Sequence, residues 1–216
     1  MQHIITPDPI NHYAEQFTSP ESAALAELNK ETHAQVSGAQ MISGHLQGMV
    51  LQLLSQMLQP RLILELGTYT GYSAISLSMG LKPEGKLHTI DIDASLQSMR
   101  NTYWQKAGAD HKIIQHIGQA KEIIPTINEG RFDLVFIDAD KKSYCDYFDL
   151  VLDNMDKGGI ILADNVLFHG EIILPEAQQS KNAKYINQFN QKVADDKRVE
   201  QVLLPIRDGL MVIRKL

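Results

Sequence analysis

The chain has 216 residues, 44% of them hydrophobic, with a net charge of −6 and a pI near 5.7. That length and apolar share suffice for one α/β domain with a buried core. The acidic balance argues against a nucleic-acid binder, which carries a basic face. Apolar runs such as 62–66 and 134–137 fall far below the roughly 18 residues a membrane helix needs, so no membrane partner is expected. The N-terminal MQHIITPDPINHYAEQF sets prolines and carboxylates where a secretory leader would need a basic start and an apolar stretch, so a cytoplasmic location is expected. The single cysteine, Cys145, cannot form an internal disulfide, and with no basic neighbour to hold a thiolate it reads as passive.

In chain order, Pro20–Glu21–Ser22 opens a helix, and apolar residues at 46, 49, 50, 53, 54 and 57 recur at helical spacing up to Pro60. Met49, Met57 and Met79 fit the core side of helices. Strands are predicted at 62–66, 86–91, 112–116, 132–138 and 159–163, separated by helices near 72–79, 94–107, 120–127 and 143–154. This alternation implies a parallel sheet covered by helices. A less regular stretch at 167–180 leads to a helix near 183–194, and 199–204 and 210–213 read as an antiparallel hairpin. The expected architecture is a single α/β domain over 1–216, with residues 1–60 as a helical cap and 61–216 as a core. Its sheet is seven-stranded, mostly parallel, and ends in a C-terminal antiparallel hairpin.

In such a sheet ligands bind outside the carboxyl ends of the strands. The first strand runs into ELGTYTGYS, where Gly67 and Gly71 allow tight turns and Ser73 with nearby amides can hold a carboxylate. Tyr69 breaks the G-x-G-x-x-G pattern of a pyrophosphate seat, favouring a cofactor without phosphates. Asp91 ends the second strand, about 20 residues beyond Gly67, where a carboxylate can accept ribose hydroxyls. Gly118–Gln119–Ala120 ends the third, where backbone groups can read an adenine edge. Each feature alone has a plainer explanation as a turn or a helix cap.

The fourth and fifth strands run into FIDADKKSY and ILADNVLF, which gather Asp138, Asp140, Asp164 and Asn165. Carboxylates so placed repel one another, and a hard divalent cation with oxygen preference resolves that repulsion. Zinc-type Cys and His spacings are absent. Capping of the next elements is the alternative duty for these side chains. Lys141 can reach the same cavity, where neighbouring positive charge would disfavour its ammonium form and make it a base. A solvated lysine beside Lys142 is the plainer reading. His45, His88, His111 and His116 share no motif spacing and read as surface or strand-end residues, whereas His169 follows Asn165 closely enough to line an acceptor pocket.

Taken together, ELGTYTGYS, IDAD-K at 137–141, ADN at 163–165 and the tail DKRVEQVLLPIRDGL resemble the cation-dependent O-methyltransferase family. That family includes catechol and caffeoyl-CoA O-methyltransferases, and small bacterial members are the nearest in pattern. The resemblance runs from about residue 39 to 214 and implies a Rossmann-like class I S-adenosylmethionine (SAM) methyltransferase fold. It implies Asp138, Asp164 and Asn165 as ligands of a divalent cation, Mg²⁺ with Mn²⁺ or Ca²⁺ as alternatives, and Lys141 as the catalytic lysine. Glu65, Gly67, Tyr69, Ser73, Asp91 and Ala120 fall on SAM-contacting positions, with Asp138 and Asp140 beside them. The segment QMISGHLQG is similar to the family's N-terminal motif and sets Met41 and Ser43 over the methyl-transfer site. His45 and Leu46 depart from residue types usual in bacterial relatives, and Arg207 stands where a glycine is common. The implied activity is methyl transfer from SAM to a catechol-type or hydroxycinnamoyl-type phenol by a homodimer that pairs through its N-terminal helices. Rival readings are a metal-independent SAM methyltransferase, a nicotinamide oxidoreductase disfavoured by the glycine pattern, and a SAM-binding module without turnover.

Overall fold

Every strand expected from the sequence is present in the computed structural model, which describes residues 6–216. The first five residues, which begin the stretch read for a leader, lie outside the described residues. Strands β1 (Leu62–Leu66), β2 (Lys86–Asp91), β3 (Ile113–Ile117), β4 (Phe132–Ile137) and β5 (Met155–Asp164) are parallel, in the order β3-β2-β1-β4-β5. The chain then makes β6 (Val199–Leu204) and returns as β7 (Leu210–Lys215), which inserts antiparallel between β5 and β6 and completes seven strands. β5 starts four residues earlier than expected from 159: Met155 pairs with Phe132 ahead of a register shift, and Gly158 at φ 90° lies within that irregularity.

The central strands β1 and β4 are almost wholly buried on both faces because helices cover both. Alternation along β4 divides its side chains between two cores. Leu134 and Phe136 pack with Ile63, Leu25, Leu51, Ile75 and Trp104. Val135 and Ile137 pack with Leu64, Tyr144, Phe148, Ile161 and Phe189. Each such fully buried side chain contributes roughly 1.5–3 kcal/mol. The first core is built under α2 (Ala23–Gln35), α3 (Gly44–Leu58), α4 (Tyr72–Ser78) and α5 (Gln97–Lys106); the second lies under α6 (Ala120–Ile123), α7 (Tyr144–Asp153) and α8 (Lys181–Asp195). α1 (Asp8–Gln16) precedes them all. Ser22 opens α2 as an N-cap, its hydroxyl accepting from the Leu25 amide, and Gln59 in the left-handed region ends α3 before Pro60.

The methionine assignment is corrected: Met49 is buried, but Met57 is 73% and Met79 39% exposed. α3 meets α4 through small residues, and a Cβ on Gly48 would fall 2.5 Å from the Tyr72 ring. This close seam turns Gln47, Gly48, Leu51 and Ser55 inward and Met57 outward. The helix expected over 120–127 is shorter, becoming a 3₁₀ turn at Ile124–Thr126 around Pro125, which lacks an amide donor. The irregular stretch 167–180 holds two 3₁₀ segments, Phe168–Ile173 and Glu176–Gln178. His88 and His116 are not surface residues acting singly. His88 is 3% exposed and its Nδ1 lies 2.9 Å from His116 Nε2, since β2 and β3 present both rings on one face. Among the described residues no helix is long and apolar enough to cross a membrane.

The carboxyl ends of β1 and β4 approach too closely for a side chain. Gly67 has φ 91°, its amide bonds Ile90 O on β2, and a Cβ there would lie 1.9 Å from the Asp138 carbonyl oxygen. Gly67→Ala should therefore destabilise the protein by about 2 kcal/mol or more through left-handed strain and overpacking. Thermal denaturation should read this as a fall in Tm of at least about 4 °C for a chain of this size, and an unchanged Tm would contradict the close approach.

Candidate active site

The carboxyl ends of β1 to β5 open into one cavity of about 1730 Å³. A pocket for a single small ligand is typically about 300–1,000 Å³, so there is room for two molecules side by side. The opposite wall is the segment preceding and opening α3, including Met41, Ser43 and His45, with Asn11, Glu15 and Glu21 nearer the N-terminus. Hydrogen bonds pin this wall down. Tyr72 donates to Glu21 Oε2 at 2.5 Å, His45 Nε2 lies 2.7 Å from the Ser19 carbonyl, and Tyr69 donates to the Ser37 carbonyl at 3.1 Å.

On the cofactor side, Gly67, Tyr69, Ser73, Asp91 and Ala120 line the cavity as the sequence expects, with Met41 exposed over it and Ser43 buried beside it. Tyr69 adopts φ 48°, which lays its peptide across the end of β2. Asp91 is partly committed: its Oδ2 accepts the Thr68 and Tyr69 amides, both at 2.9 Å, and pairs with Arg100 at 3.2 Å. Among the described residues its Oδ1 accepts only the Asp93 amide, and a carboxylate oxygen has two lone pairs, so Oδ1 keeps capacity for a hydroxyl. Amides of the glycine loop thus organise Asp91 as well as facing a ligand. Arg100, fully buried and donating to Tyr69 O at 2.6 Å, locks this loop; nothing in a lone arginine on a polar helix signals that duty.

Glu65 is placed differently. It is fully buried and outside the cavity lining, its Oε2 accepting from Thr89 Oγ1 at 2.5 Å. The strand's pleat turns residue 65 beneath the loop. Burial, partly offset by the Ser73 and Thr89 hydroxyls, raises its pKa to about 7.

The other end of the cavity gathers oxygens. Asp138 leaves β4, Asp164 ends β5, and Asn165 follows at φ 59°, a left-handed turn that asparagine tolerates. All three line the cavity. Lys141 Nζ sits among them, 3.1 Å from Asp138 Oδ1, 2.7 Å from Asn165 Oδ1 and 2.7 Å from Tyr144 Oη. Asp164 is 5% exposed; burial and the nearby Asp138 charge raise its pKa to about 6. Asp140 borders the cavity, but its oxygens accept Tyr147 Oη and the Ser143 amide, so it caps the following turn. His169 and Asp208 complete this end, with the His169 amide donating to Asp208 Oδ1.

The expected disfavouring of the Lys141 charge depends on a neighbouring cation and sulfonium, and the chain's own groups favour the charged form. Burial pulls its ammonium down, but Tyr144, Asp138 and Asp164 outweigh that and hold it charged, well above the usual lysine value. Among the described residues no group of three His, Cys, Asp or Glu side chains is placed to hold a metal. The donor set here is two carboxylates and an amide, all hard oxygens already gathered around a positive nitrogen, and it suits a hard divalent cation. Sequence reading missed Gln47, Tyr144 and Asp208. Gln47 lies off the apolar stripe read from the sequence, on the face that α3 buries, and none of the three carries a local signal.

Comparison with known proteins agrees with this geometry. Residues 15–216 match the O-methyltransferase family. A probable caffeoyl-CoA O-methyltransferase 2 of Dictyostelium discoideum is 36% identical over 210 residues, covering 94% of this chain and 88% of its own length. The O-methyltransferase from Bacillus cereus, solved in complex with S-adenosylhomocysteine (SAH), superposes with a TM-score of 0.84 at 27% identity, covering 96% of this chain and 97% of its own. TomG of Streptomyces achromogenes, an O-methyltransferase involved in tomaymycin synthesis and solved with SAM, gives 0.85 at 27% identity, covering 96% of each. The chain belongs to the O-methyltransferase family and is a SAM-dependent O-methyltransferase with the class I fold.

The raised Glu65 pKa fixes the sign of a pH effect. Its folded value of about 7 exceeds the ordinary 4.5, so the protonated form is favoured on folding. Its contribution is complete below about 4.5 and is lost as pH rises through 7. Relative to wild type, Glu65→Gln should gain stability across that window, by about 3 kcal/mol at its alkaline end. Parallel Tm profiles of the two proteins between acid and mildly alkaline pH would refute the shift.

Proposed function

We propose that this enzyme is a divalent-cation-dependent O-methyltransferase acting on a small phenol with adjacent oxygens, of catechol or hydroxycinnamoyl type. The observation that carries the reading is the convergence of Asp138 Oδ1 and Asn165 Oδ1 on the Lys141 ammonium, beside the buried carboxylate of Asp164. Asp138, Asp164 and Asn165 would hold the cation. When bound, Mg²⁺, Mn²⁺ or Ca²⁺ supplies positive charge that lowers the pKa of a chelating phenolic hydroxyl. SAM supplies a methyl group on a sulfonium sulfur.

The chain's own residues hold the reactants and manage one proton. Asp91 retains an oxygen for ribose hydroxyls, Ala120 and Gly118 border the adenine side, and Gly67 with Ser73 faces the cofactor's amino-acid end. Met41 and Ser43 cover the transfer site and exclude water. The acceptor oxygen attacks the methyl carbon as the carbon–sulfur bond breaks and sulfur keeps the electron pair, giving a methyl ether and SAH. A second positive charge beside Lys141 disfavours its ammonium form, and the lysine takes or steers the hydroxyl proton. No covalent enzyme intermediate is needed, so alignment provides most of the acceleration.

The same reading takes residues 1–216 as one domain, capped by 1–60 over a core of 61–216, in a cytoplasmic enzyme. A homodimer through the N-terminal helices is supported by the exposed Ile10, Tyr13 and Phe17, which share one side of α1 and its end.

A panel of catechols and a hydroxycinnamoyl thioester, incubated with SAM and Mg²⁺, Mn²⁺, Ca²⁺ or EDTA, should yield methyl ethers only with a cation present. Full activity in EDTA would defeat the cation-dependent reading. Asp138→Ala should abolish cation-dependent turnover and spare much of the SAM affinity measured by calorimetry. Lys141→Met should reduce kcat by about 10²–10⁴-fold while leaving Mn²⁺ affinity undiminished, because a competing ammonium is removed; weaker Mn²⁺ binding would assign the lysine a different place.

A further inference from the structure

Gln47 has no part in the chemistry described above, yet its side chain is the most fully committed polar group next to Asp164. It is 2% exposed on the inner face of α3. Its Nε2 donates to Asp164 Oδ2 at 2.7 Å, and its Oε1 accepts from Arg207 Nη1 at 3.0 Å. The carbonyls of Ile42, at 3.0 Å, and Ser43 share the two hydrogens of the same guanidinium nitrogen with Gln47. Arg207 lies in the β6–β7 loop, 160 residues from Gln47 along the chain. One amide thus joins the end of β5, the segment that opens α3 and the C-terminal loop.

A buried amide is costly unless both its ends are bonded, and an apolar residue of equal size would fill the space on α3 without that requirement. The polar identity therefore has a use at Asp164. The Asn165 amide donates to Asp164 Oδ1 at 2.8 Å, so with Gln47 on Oδ2 the carboxylate is held at both oxygens. Each oxygen retains lone-pair capacity, and the carboxylate plane is no longer free to rotate. Arg207 fixes the amide's own orientation, because a guanidinium only donates and so must face the amide oxygen.

We propose that Gln47, oriented by Arg207, is a positioning residue that sets the carboxylate of Asp164 for cation binding. The inference rests on the cation-dependent reading above. Arg207 is then an anchor reaching from the C-terminal loop to the segment that opens α3.

The test uses the full chain with Mn²⁺ as probe and SAH present, free Mn²⁺ being read by electron paramagnetic resonance. Gln47→Met keeps volume and removes both hydrogen bonds. Mn²⁺ affinity should fall about 10–100-fold, as for other outer partners of metal ligands, with the KM for Mn²⁺ rising in step and kcat at saturating Mn²⁺ falling less. A purely structural Gln47 would lower Tm and leave Mn²⁺ affinity within about twofold of wild type, which overturns the proposal. If Gln47→Met does not fold, Arg207→Met decides. A loss of Mn²⁺ affinity of about threefold or more supports the anchor, and wild-type affinity overturns it. Asp138→Ala is the control: if wild type and this variant both fail to bind Mn²⁺, the cation-dependent reading falls and takes the inference with it. An unchanged Gln47→Met protein beside a Mn²⁺-binding wild type removes the inference alone.

Discussion

Two carboxylates that leave adjacent strands toward the same point repel each other, and this constraint organises one end of the molecule. Asp138 and Asp164 cannot avoid each other, because β4 and β5 are hydrogen-bonded neighbours whose ends are in register. The Lys141 ammonium answers that repulsion from within the chain, with the Asn165 carbonyl and the Tyr144 hydroxyl completing its surroundings. The arrangement is a charge balance with an exchangeable member. A group that holds an ammonium on oxygens in a half-buried cavity also suits a harder, doubly charged ion.

The rest of the cavity follows from where chain segments must go to close it. The glycine loop after β1 passes so near β4 that Gly67 has no room for a side chain, and the peptides of Thr68 and Tyr69 are thereby aimed at Asp91. The outer wall comes from a separate part of the chain. It is joined to the core by a few directed hydrogen bonds, from Tyr72, Tyr69 and Arg207, and tied within itself by His45. Such contacts orient a cover more than they stabilise it, since each net hydrogen bond is worth only about 1 kcal/mol.

The two ends of the site differ in how they treat charge. At the cofactor end Asp91 is paired with a buried guanidinium, and Glu65 below it is pushed toward neutrality by burial. At the other end the negative groups stay close together beside the Lys141 ammonium. SAM and an acceptor brought between these ends meet a field of fixed charges and dipoles, which favours electrostatic preorganisation over covalent participation.

The sequence by itself determined the strand order of chemistry: which residues leave β1, β2, β3, β4 and β5, and hence which side chains can meet at the carboxyl edge. Apolar runs of five or six residues bounded by glycine or aspartate are local signals, so the strands and most helices were legible, as was the oxygen-rich character of the site. Tertiary structure decided what local pattern cannot encode. The place of β7 between β5 and β6, the outward turn of Met57, the submerged position of Glu65 and the pairing of His88 with His116 all depend on which surfaces press together. The charge state of Lys141 within the chain alone was illegible for the same reason, since an ammonium's preference is set by oxygens from distant parts of the chain. Gln47 and Arg207, 160 residues apart, acquire meaning only when packing closes that distance to a hydrogen bond.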